Sequence, residues 1–165
     1  MIREENFKPV LERLLATRRQ KVEDSLAGAP RGMRVLFTGE SGKNRLLAAQ
    51  LFARELSVDL FQIDLGRLVS KYIGETEKNL DALFSAAEAS DAVLLFDEAD
   101  SLFGRGEQGD AGSEESGLYP NLDVAHFRQR IEKYDGVVVF ATNRRAQFDP
   151  RLKRQCDEVV ELTDD

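Results

Sequence analysis

The chain is poor in cysteine, with one residue, Cys156, among 165. That excludes an internal disulfide and any multi-cysteine zinc cage, and it fits a reducing, cytoplasmic setting. Histidine is as scarce, His126 being the sole example. A lone histidine in a helical stretch and a lone cysteine beside a strand are ordinary structural residues, and neither is given a role. No apolar run approaches the roughly 20 residues that span a bilayer. The opening MIREENFKPV is charged and lacks the apolar core of a secretion signal. Positive charge is not in excess either. Against 30 Asp and Glu stand 23 Lys and Arg, for a formal net charge of −7, which argues against a broad nucleic-acid footprint. There is no internal repeat. What is present, 42% hydrophobic and 32% charged residues, describes one globular domain with room for a core.

Apolar periodicity places the elements. Phe7, Val10, Leu11, Leu14 and Leu15 recur at helical spacing within residues 5–26, with Arg18, Arg19 and Lys21 on the wet side. GAPRG (28–32) breaks that helix. Strands are expected at 33–38, 58–65, 91–100, 136–143 and 157–162, and helices at 44–56, 76–89 and 121–134. The strands are apolar throughout rather than alternating, and they are interleaved with helices. That pattern belongs to a parallel sheet covered on both faces. GRGEQGDAGSEESGLYP (104–120), rich in Gly, Ser and acids, is expected to be a surface loop.

Chemistry gathers where apolar strands end. LLFDEAD (94–100) delivers Asp97 and Glu98 to a strand tip, the edge at which open α/β sheets bind ligands. Two adjacent carboxylates there suit a magnesium nucleotide, one for the metal and one to polarise water. They equally suit the start of a helix, which favours acids. VVVFATN (137–143) ends in Asn143, an amide able to orient water or simply to fill a turn. RVLFTGESGKNRLL (34–47) is a strand, a Gly-rich turn with Lys43, and a helix, the order of elements in a phosphate-binding loop.

Taken together, LFTGESGK (36–43), SKYIGETEKNL (70–80), LLFDEADSLFG (94–104), IEKYDGVVVFATNRR (131–145) and FDPRLKR (148–154) resemble the large α/β subdomain of an AAA+ ATPase. The resemblance covers residues 33 to about 162, in the order of the family. It implies a P-loop NTPase-like parallel five-stranded sheet with helices on both faces, preceded by an N-terminal helix and linker over 1–32. It also implies ATP and Mg²⁺ as cofactors, with hydrolysis coupled to protein remodelling. Asp97 would assist the metal in a Walker B motif, Glu98 would activate water, and Asn143 would align that water. Gly39, Glu40, Ser41, Gly42, Lys43 and Asn44 would hold phosphate, Asn44 also facing the metal. Lys71, Tyr72, Ile73 and Gly74 would form a pore loop gripping a protein substrate, the alternative for Tyr72 and Ile73 being a core contact at a helix end. Arg154 would be an arginine finger reaching into a neighbouring subunit of a homo-oligomeric, hexameric ring, with Arg144 and Arg145 near the interface. The alternative there is a basic surface cluster.

The departures lie in the phosphate loop. The pattern GxxxxGK[ST] is not met with Lys43 as its lysine, because only Glu40 and Ser41 separate Gly39 from Gly42. On that reading the loop is short by two residues, and Asn44 stands where the metal-binding hydroxyl belongs. Gln155 replaces a second arginine finger, and the sequence stops at Asp165 where the helical lid of the family would follow. Each lost charge-assisted hydrogen bond is worth roughly 1.5–3 kcal/mol. The expectation is therefore an ATPase core that binds and hydrolyses ATP poorly. The alternative is a degenerate scaffold that binds nucleotide weakly or not at all.

Overall fold

The computed structural model describes residues 2–64, 75–99, 124–143 and 150–163. In chain order the elements are α1 (Glu4–Ser25), β1 (Met33–Thr38), α2 (Gly42–Leu56), β2 (Leu60–Ile63), α3 (Glu75–Ser90), β3 (Val93–Phe96), α4 (Val124–Lys133), β4 (Val137–Thr142), α5 (Pro150–Gln155) and β5 (Glu158–Glu161). The five strands form one sheet in the order β2-β3-β4-β1-β5, and every pairing is parallel. The expected fold class holds. β1 lies between β4 and β5, so its C-terminal tip has a strand on either side.

Both faces of the sheet are covered, which is why its strands carry no polar alternation. On one face Leu36, Leu94, Phe96, Val138 and Phe140 pack with Leu80, Phe84, Phe127 and Ile131 of α3 and α4. On the other, Val35, Phe37, Val93, Leu95, Val139 and Ala141 pack with Phe7 and Leu14 of α1 and Ala48, Ala49 and Phe52 of α2. Helix α1 thus closes the same core as the sheet. Among the described residues no helix is long and apolar enough to cross a membrane.

One residue of α1 departs from expectation. Arg18, placed on the wet side by periodicity, is only 5% exposed. Its guanidinium donates to the carbonyls of Arg31 (2.6 Å) and Asp135 (3.0 Å). Two loop carbonyls at the N-terminal edge of the sheet need donors there, and a long arginine stem lies along apolar surface while supplying them. Burial pushes the guanidinium below its ordinary pKa. Lys21 keeps its charged head at the surface in an ion pair with Asp157 at 2.7 Å.

Candidate functional site

Three strand tips meet at the C-terminal edge of the sheet. Thr38 of β1 is in register with Thr142 of β4, and Phe96 of β3 with Phe140 of β4. Gly39, Asn143 and Asp97, each the next residue along its strand, therefore stand on one rim. The Gly39 N–H donates to the Thr142 carbonyl at 3.2 Å, stitching the β1 and β4 tips together. A Cβ on Gly39 would lie 2.8 Å from the Leu162 carbonyl oxygen, so the close approach of the chain after β5 demands glycine. Glu98 is exposed and has φ +54°, a strained conformation of the kind found at functional tips. Asn143 is also exposed.

The β1–α2 turn is built differently from what the residues at 39–44 suggest. Helix α2 begins at Gly42, two residues before the expected start, because Ser41 caps it. The Ser41 hydroxyl accepts the Asn44 N–H at 3.2 Å, and the Ser41 carbonyl accepts the Arg45 N–H at 3.1 Å. A phosphate nest works by leaving first-turn amides open to an anion; here the Ser41 hydroxyl takes that of Asn44. Lys43 is exposed on the first turn. Asn44, expected to face a metal, is 2% exposed, and its Oδ1 accepts the Ile2 N–H at 2.7 Å. In this structure the Asn44 carbonyl oxygen is held by the backbone of the N-terminal segment.

The residue that sequence reasoning missed is Arg45. It is 4% exposed, its Nε donates to Asp97 Oδ1 at 2.9 Å, and one terminal nitrogen donates to the Gly39 carbonyl at 2.5 Å. The other terminal nitrogen is 3.4 Å from where a Cβ on Gly42 would stand. Asp97 Oδ1 also accepts the backbone N–H of Glu98 at 2.9 Å. The signal was present in the spacing. Counted from Gly39, four residues lead to Asn44, Arg45 and Leu46, the sixth, seventh and eighth places of GxxxxGK[ST]. The reading of a loop two residues short took Lys43 as the lysine. With Arg45 in that place the stretch has the length of the pattern, and its departure is one of residue type.

A magnesium triphosphate does not fit these residues as they are arranged. Asp97 presents its Oδ1 to a guanidinium, the Asn44 N–H is capped by the Ser41 hydroxyl, and Leu46 supplies no side-chain oxygen at the eighth place. Among the described residues no group of three or more His, Cys, Asp or Glu is arranged to hold a metal ion.

Other expected residues lie elsewhere. Arg154 is exposed on α5, outside this cluster. Its neighbour Gln155 donates to Glu132 on the last turn of α4 at 3.2 Å, and Asp157 donates its N–H to the Arg34 carbonyl at 2.7 Å. The α5–β5 junction is thus at the opposite edge of the sheet. Lys71, Tyr72, Ile73 and Gly74, Arg144 and Arg145, and the stretch 104–120 fall outside the described residues. His126 sits 3.1 Å from Asp81 on α3. Burial pushes the Cys156 thiol up to about 12, which leaves it protonated and inert at neutral pH.

Comparison with known proteins agrees with this frame. The model of the ATPase family associated with various cellular activities (AAA) matches residues 35–164. An uncharacterized AAA family ATPase, y4kL, of Sinorhizobium fredii is 33% identical over 127 residues, covering 77% of this chain and 38% of that protein. The peroxisomal ATPase PEX6 of Saccharomyces cerevisiae is 37% identical over 123 residues, covering 73% of this chain and 12% of that protein. The chain therefore spans well under half the length of these relatives. Among solved structures, the FIGL-1 AAA domain in complex with ADP superposes with a TM-score of 0.64 at 24% identity, over 96% of this chain and 52% of that one, a likeness of fold.

Proposed function

Because the chain belongs to the AAA family of ATPases, we propose that it works as a non-hydrolysing module of that family. It keeps the sheet and strand-tip residues, takes up Mg-ATP weakly or not at all, and acts by assembling with protein partners, other AAA domains included. The observation that carries this reading is the Arg45 guanidinium on Asp97 and on the Gly39 carbonyl. Family membership supports assembly, and the exposed Arg154 supports a contact directed at a neighbouring subunit rather than at the site of its own chain. A cytoplasmic setting accompanies the reading. The test is phosphate release by the purified domain in millimolar Mg-ATP, alone and mixed with an active AAA partner. The expected rate for the domain alone is background, unchanged by Glu98→Gln. Magnesium-dependent turnover that Glu98→Gln abolishes would overturn the proposal.

A second reading is the threading ATPase, and the retained Asp97, Glu98 and Asn143 on one rim favour it. In that case ATP and Mg²⁺ enter the strand-tip edge after Arg45 withdraws, and Lys71, Tyr72, Ile73 and Gly74 grip a protein substrate inside a ring. The same turnover measurement separates the two.

A further inference from the structure

We propose that Arg45 is the resident cation of the strand-tip edge, standing permanently where a metal and phosphate would otherwise balance Asp97. The inference rests on the non-hydrolysing reading above and deepens it by naming what closes the site. Three neighbouring positions depart from the loop pattern. At the sixth place of the loop pattern Asn44 is buried and accepts the Ile2 N–H, so it ties the N-terminal segment to α2. The seventh place holds an arginine that bridges the β1 tip to the β3 tip. Leu46, at the eighth, is half-buried and packs into the α1–α2 core. None of the three is an unused remnant.

The exchange of lysine for arginine is what makes the bridge possible. A lysine ammonium is a compact point charge that rests on a phosphate. A guanidinium is a planar fork with donors on three sides, and one group therefore serves a carboxylate and a carbonyl at once. Its charge is permanent, so the compensation of Asp97 needs neither nucleotide nor metal. The fork also lies against Gly42, on the turn that would have to receive a phosphate. The backbone is helical from Gly42, and its cap Ser41 occupies the Asn44 N–H independently of the charge.

Reversion tests the inference in the full chain. The triple variant Asn44→Gly, Arg45→Lys, Leu46→Thr is compared with the parent in thermal melts and titration calorimetry, using MgCl₂ alone and Mg-ADP as probes. The expected result is no response of the parent to either probe, and a rise in melting temperature of the triple variant with Mg-ADP that EDTA reverses. A parent that binds Mg-ADP, with binding weakened by Arg45→Gln, would overturn the inference by making Arg45 a phosphate ligand. A folded triple variant that stays unresponsive would overturn it too, since something other than these residues would then close the site. Should the triple variant not fold, a double-mutant cycle of Arg45→Gln and Asp97→Asn by urea denaturation decides. Strong coupling is expected, and additivity contradicts the bridge. Turnover by the parent would sink the functional proposal, whereas an unresponsive folded triple variant or an additive Arg45–Asp97 cycle bears on Arg45 alone.

Discussion

The two halves of the strand-tip edge have gone different ways. The β3–β4 half carries an aspartate, a glutamate and an asparagine where the family resemblance expects them, two of them exposed at Glu98 and Asn143. The β1–α2 half has become a capped helix start with a buried arginine. The difference teaches which part of such a site is demanding. An acid or amide at an exposed tip costs the fold almost nothing. A phosphate nest asks a backbone to leave its amides unpaired, and that arrangement depends on glycine. Here the chain is helical from Gly42 and the Ser41 hydroxyl takes the Asn44 N–H.

Substitutions sharpen or break that contrast. Asp97→Asn strands a buried guanidinium and should cost roughly 3–5 kcal/mol in urea denaturation. Glu98→Gln, one residue along but exposed, should stay within about 0.5 kcal/mol. Equal losses from both would mean that the Arg45 bridge does not set Asp97 apart from its exposed neighbour. Next in size, Gly39→Ala drives a methyl against the Leu162 carbonyl and should cost roughly 1–3 kcal/mol, while Asn143→Ala on the same rim should again fall within about 0.5 kcal/mol. Smallest, Ser41→Ala removes the α2 cap and should lower stability by about 1 kcal/mol. A neutral Ser41→Ala would mean that the Asn44 N–H is not held by the hydroxyl.

The sheet was legible because its strands are apolar on both faces, which only a doubly covered parallel sheet requires. The gathering of Asp97 and Asn143 on one rim followed from the strands being parallel. Arg18 was not legible: periodicity sees a charge on a helix, not the two carbonyls 13 and 117 residues away that it satisfies. Arg45 was hidden for two reasons. Gly42-Lys43 imitates the end of a phosphate loop and draws the count two residues out of step. The partner of Arg45 is 52 residues distant, and one sequence carries no sign of that pairing. The capping of α2 by Ser41 was readable in principle, since Ser before a helical run is a common N-cap, but the glycine-rich turn around it suggested a loop instead.

The most direct test of the central claim is a crystal structure of the domain grown in millimolar Mg-ADP. The account predicts Arg45 Nε still bonded to Asp97 Oδ1 near the present 2.9 Å, with no diphosphate density at residues 39–45. Diphosphate wrapped by that turn, with the guanidinium displaced from Asp97, would contradict it.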